Sequence, residues 1–192
     1  LLILAAMVIG SFINIPLYRG TPALNINVGG AIIPLALSIY VLSRAGTSKE
    51  TTRGLIGTLV IGVLIYGGSK LYDFDIREGW LEPQYLWGIL AGVTAYLIGR
   101  SRRLAFIGAT LGVILADVAH AIEAAMTGLS TPTSIGGAGI LDTIVLAGLI
   151  GVVLAELIGE SRERLQGGPE RSEERPEQLK EPDQREGGEE NG

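Results

Sequence analysis

The chain has 192 residues, 47% hydrophobic and 18% charged, with a mean hydropathy of +0.40 and a net charge of −5. The imbalance lies past Gly159: residues 160–192 hold eleven acids and six bases, while 1–159 hold nine of each, so the acidic balance describes a tail and no nucleic-acid surface is present. With no cysteine and one histidine, disulfide scaffolds, thiolate metal sites, cysteine nucleophiles and poly-histidine relays are excluded.

Six apolar stretches follow in chain order, at 1–17, 26–42, 54–68, 80–98, 104–126 and 139–158. A bilayer core needs roughly 17–25 helical residues, and helices satisfy their own backbone groups in lipid. The sequence therefore predicts an all-α fold: a six-helix transmembrane bundle over residues 1–159, with alternating strand patterns absent. The first stretch lacks a basic leader and a small-residue cleavage site, and reads as a retained helix. Residues 160–192, rich in Glu, Arg, Pro, Gln and Gly, have too little apolar surface to offset ordering entropy and are expected to be a disordered charged tail.

Loop charges orient the bundle. Lys and Arg number eight on one set of alternate loops and three on the other, so the positive-inside rule places both termini in the cytoplasm of a multi-pass cell-membrane protein. Small residues recur at helical spacing, with Gly88, Gly92 and Ala95 on one ridge and Gly108, Gly112, Ala116 and His120 on another. Such ridges let helix backbones approach in lipid.

Polar residues inside apolar runs are the candidates for function, because a mid-helix charge costs roughly 2.5–3.5 kcal/mol to insert. Glu82, Glu123 and Glu156 lie near helix ends and can reach headgroups. Asp117 lies nine residues before Met126, about 13 Å from that end, and its short side chain cannot snorkel. Asp142 follows Gly136, Gly137 and Gly139, whose spacing favours unwound or re-entrant backbone. If that segment dips inward, both acids occupy the outer half of the bilayer on consecutive helices. His120 lies one turn from Asp117, within reach of a hydrogen bond or of ligand binding. A metal set of Asp117, His120 and Asp142 has no specific spacing, and no cofactor is implied.

The N-terminal half carries a matching feature. Asn14 and Pro16 interrupt the first stretch, and the second opens with Asn27-Val-Gly-Gly-Ala31, comparable to Ser134-Ile-Gly-Gly-Ala138. Paired glycine-interrupted segments at corresponding places point to a membrane binding site. Neither string is a phosphate loop.

The strings GSFINIPL (10–17), NVGGAIIPLALSIYVL (27–42), ILADVAH (114–120) and SIGGAGILD (134–142) resemble the multipass prokaryotic membrane family called domain of unknown function 1614. The resemblance implies an integral membrane protein and assigns no catalytic role. It also implies that the glycine strings and both aspartates belong to one shared pattern.

Three readings stay open. Asp117 and Asp142 form the acid–base pair of a di-aspartyl intramembrane hydrolase, because mutual repulsion between close carboxyls leaves one of them protonated. Alternatively they bind a proton or cation in a small transporter or channel, with Asn14, Asn27, His120 and the backbone at Gly136, Gly137 and Gly139 as further ligands. A homodimer would then enlarge a small interior. In the third reading these residues only fix helix packing. The expected partners are the lipid bilayer and a second copy, with the substrate or ion open.

Overall fold

In the computed structural model, residues 2–71, 82–128 and 132–165 are described. The expected tail falls mostly outside them. Six helices occur among the described residues: α1 (Leu2–Gly10), α2 (Ile33–Ser43), α3 (Ser48–Leu71), α4 (Pro83–Gly99), α5 (Arg102–Thr127) and α6 (Thr143–Leu165). Residues up to Glu156 form one compact unit.

The all-α expectation needs correction. A three-stranded sheet is present, in the order β1 (Asn14–Tyr18), β2 (Leu24–Asn27), β3 (Thr133–Ile135). β1 and β2 are antiparallel, with Asn14 opposite Asn27, while β2 and β3 are parallel, with Ile26 opposite Ile135. The reason is local. Pro16 has no N–H to donate and biases Ile15 to extended backbone, and the flanking β-branched residues suit strands. An apolar run by itself does not distinguish a buried strand from a helix.

The first two apolar stretches are therefore not continuous helical spans. α1 stops at Gly10 after nine residues, and α2 has eleven. Between β2 and α2 lies a π-helical turn, Val28–Ile32. Pro34 sits in the first turn of α2, where a missing N–H costs nothing. Three helices are long and apolar enough to cross a membrane: Ser48–Leu71, Arg102–Thr127 and the stretch Thr143–Ser161 of α6. α4 has seventeen residues.

α5 runs through the centre of the packing. Leu104, Ala105, Ile107, Gly108, Ala109, Thr110, Gly112, Val113, Ala116 and Ala124 are all buried on it. Its small residues receive α3, with a Cβ on Gly112 falling 2.7 Å from the Ile61 side chain. A Cβ on Gly92 of α4 would meet Ile150 of α6 at the same distance. Both small-residue ridges thus carry close helix crossings.

Two ion pairs fix helix directions. Lys70 near the end of α3 meets Glu123 near the end of α5 at 2.5 Å, so α3 and α5 run parallel. Arg102 at the start of α5 meets Glu156 in the latter half of α6 at 2.6 Å, so α6 runs back antiparallel. Exposed pairs of this kind add little stability.

Candidate functional site

The two glycine strings meet. Asn27 caps the π turn: its Oδ1 accepts the Gly30 N–H at 2.8 Å, and its Nδ2 donates to the Ser11 carbonyl at 2.8 Å and to Asn14 Oδ1 at 3.0 Å. The side chain is fully buried, and burial is tolerable because both ends of the amide are bonded. Ser11 carries the connection onward. Its hydroxyl donates to the Met7 carbonyl at 2.7 Å and accepts the Ile140 N–H at 2.9 Å. The chain end of α1 is thereby tied to the 3-10 turn Gly139–Leu141.

No side chain would fit at the crossing. A Cβ on Gly30 would clash with the Gly136 carbonyl and lie 2.8 Å from that of Gly139. A Cβ on Gly136 would sit 2.6 Å from Gly30 C, and one on Gly139 2.6 Å from Ser11 Cβ. Gly136 and Gly139 also have φ of +69° and +63°, in the left-handed region where L side chains are strained. Gly137 faces Ser134, with a Cβ there 3.0 Å from that side chain.

Asp142 sits between the 3-10 turn and α6 and caps the helix. Its Oδ1 accepts the Ile144 N–H at 3.0 Å, and its Oδ2 accepts the Ala138 N–H at 3.2 Å. Asp117 is half-buried in α5. Asp142 is thus bonded to the glycine turn at Ala138, Asn27 and Asn14 reach the same turn through Ser11, and β3, which leads into it, packs on α5, the helix of Asp117.

His120 points elsewhere. Its Nε2 pairs with Ser69 Oγ of α3 at 2.8 Å, and its ring lies 4.9 Å from that of Tyr66. Tyr66 donates to Glu123 at 3.3 Å, and Lys70 lies 5.7 Å from the Tyr66 ring centroid. This network joins α3 to α5 and is separate from the glycine crossing. Among the described residues no three of His, Cys, Asp and Glu are grouped to hold a metal ion.

Sequence reasoning missed Ser11 and the Tyr66–Ser69 pair. Ser11 stands between Gly10 and Phe12 in an apolar run, where an isolated hydroxyl was the available signal. Ser69 carries no such mark, because nothing in its spacing announces a histidine 51 residues on.

The family model described as Protein of unknown function (DUF1614) matches residues 8–154. No curated protein and no solved structure matches the chain. The matched range contains the glycine crossing, both aspartates and two of the three long apolar helices in full. The chain belongs to the DUF1614 family and is a membrane protein.

Proposed function

We propose that Asp117 and Asp142 form a paired-carboxylate acid–base site in the outer half of a bilayer, and that the protein is a di-aspartyl intramembrane hydrolase. One observation carries this reading: Asp142 Oδ2 accepts the Ala138 N–H of the glycine turn, and β3, which leads into that turn, packs on α5, the helix of Asp117. Two carboxyls so held share a proton, because the second ionisation is opposed by the first. The ionised partner takes a proton from water as the oxygen attacks a peptide carbonyl, and the protonated partner donates to the carbonyl oxygen. Collapse breaks the C–N bond, and a proton passes to the amine nitrogen. In this reading the glycine turn enters from the outer side, and an extended substrate reaches it at the exposed Gly137 and Ala138.

The supporting frame is a multi-pass membrane domain over residues 1–159, both termini cytoplasmic, a charged tail over 160–192, and a homodimer as the assembled form. Asn14 and Asn27 position the turn in this reading. Their amides are spent on internal bonds, which weighs against their use as ion ligands.

A second reading has its own observation. Oδ1 of Asp142 caps α6 at Ile144 and Oδ2 holds the preceding turn at Ala138, which is also what a purely structural aspartate does. The full chain in proteoliposomes, with a membrane-peptide library, separates the two. The hydrolase reading expects cleavage that Asp117→Ala, Asp142→Ala and Asp142→Asn each abolish, with Asp142→Asn keeping the Ile144 cap, losing only the Ala138 bond and remaining folded at the assay temperature. Absence of cleavage by the parent, or equal cleavage by all forms, overturns it. An aspartate-dependent ion flux without cleavage would favour the transporter.

A further inference from the structure

A cleft lies between one face of the sheet and the C-terminal half of α5. Tyr18 and Leu24 of the hairpin wall it with Ile135 of β3 and Val118, Ile122 and Ala125 of α5. Its volume of about 460 Å³ falls inside the roughly 300–1,000 Å³ of typical small-molecule sites. Val118 and Ile122 are 37% and 55% exposed, on a helix long and apolar enough to span, so the cleft is open toward hydrocarbon.

Two features at one rim narrow the occupant. Arg19 is exposed at the hairpin turn, between the cleft residues Tyr18 and Pro22. Among the described residues it makes no ion pair, the two pairs found there being Lys70–Glu123 and Arg102–Glu156. The Tyr18 ring folds across the turn, where a Cβ on Gly20 would strike it, so a phenol hydroxyl lies at the turn that carries Arg19. A rim with a lone cation and a hydroxyl above an apolar slot is complementary to an anionic amphiphile. A partner helix, about 10 Å across, would place barely one turn in this space.

We infer that the cleft between the sheet and α5 is a binding site for an anionic phospholipid, with one acyl chain against Val118, Ile122 and Ala125 and the phosphate on Arg19. The site is independent of the two aspartates, so it stands or falls apart from the hydrolase reading.

Native mass spectrometry of the full chain, released from nanodiscs of equimolar phosphatidylglycerol and phosphatidylcholine, tests it. The parent is expected to retain phosphatidylglycerol preferentially. Arg19→Gln should lower that preference about fivefold, the effect of one basic residue near a lipid surface. Ala125→Trp, at an exposed wall position, should abolish retention while helix content and melting stay at parent values. Ala121→Phe, from the same wall, serves if Ala125→Trp does not fold. Equal retention by parent and filled-cleft variant, an unchanged preference in Arg19→Gln, or a dimer in place of the lipid adduct overturns the proposal.

Discussion

Asn27 offers two donor hydrogens and a carbonyl oxygen, and it uses each: Nδ2 serves Ser11 and Asn14, Oδ1 serves Gly30. Replacing it with Leu keeps the volume and strands a buried N–H and a carbonyl. The expected loss is on the order of 3 kcal/mol, because an unsatisfied buried group costs about 1–3 kcal/mol. Thermal unfolding in detergent checks it, with Asn14→Ala expected to cost less, since β1 is exposed. Asp142 makes a sharper contrast. Asp142→Ala should lose both bonds and about 2 kcal/mol, while Asp142→Asn keeps the Ile144 N–H on its one carbonyl oxygen, turns an NH2 toward the Ala138 N–H and loses about 1 kcal/mol. Any activity that disappears in the asparagine variant at a temperature where it is still folded is then a matter of charge and proton. Ser11→Ala belongs to the same scale: it removes the acceptor for the Ile140 N–H and should loosen the glycine turn, read as faster amide exchange at residues 136–140.

At the scale of elements, the glycines divide by what surrounds them. A methyl on Gly112 would press on Ile61 at 2.7 Å, whereas one on Gly67 of the same α3–α5 region would meet nothing within 4 Å. Gly112→Ala should destabilise by roughly 1–3 kcal/mol through overpacking, and Gly67→Ala should be neutral or stabilise by up to about 1 kcal/mol through helix propensity. Equal melting temperatures for the two variants would contradict the close α3–α5 crossing. These helices were legible because small residues at four-residue spacing and long apolar runs have one common structural solution in lipid. The strands were not. Residues 24–28, Leu-Asn-Ile-Asn-Val, do alternate apolar and polar as a half-buried strand should, but the run is only five residues long and sits at the head of an apolar stretch, and a membrane chain biases the reading toward helix. Pro16 and the Asn27-Val-Gly-Gly string were visible as interruptions, without a sign that the interrupted backbone would pair with residues 133–135. The aspartates and the glycine strings were legible for the opposite reason: each is out of place locally. What the sequence could not convey is direction, and so His120, one turn from Asp117, was expected to serve the same site although its ring faces Tyr66 and Ser69.

For the whole molecule, helix direction and loop charge can be tested together. The two ion pairs make α3 and α5 parallel and α6 antiparallel, so Ser48, Arg102 and Ser161 should share one side of the bilayer. The chain has no cysteine, which makes single-cysteine mapping direct. Ser48→Cys and Ser161→Cys should resist a membrane-impermeant maleimide in intact cells, and Arg19→Cys should react. Labelling of Ser48→Cys and Ser161→Cys with Arg19→Cys protected would reverse the orientation that the loop charges favour, and labelling of only one of Ser48→Cys and Ser161→Cys would contradict their shared side. Only three helices reach spanning length among the described residues, and the two short N-terminal helices are completed by a hairpin and a π turn.

The parallel seam between β2 and β3 has a temporal meaning. Leu24 faces Thr133, and Ser11 reaches Ile140 across 129 residues. When the ribosome has produced the first forty residues, the strand and hydroxyl partners they require do not yet exist. The opening hairpin must therefore wait, its edge unpaired, through the insertion of α3 and α5, and it closes only when nascent residues 133–140 arrive. Contacts so distant along the chain form slowly. A truncation before Thr133 would then be expected to leave α3 and α5 inserted but the amino-terminal forty residues open to protease, which makes the finishing of this fold a late, carboxyl-directed event.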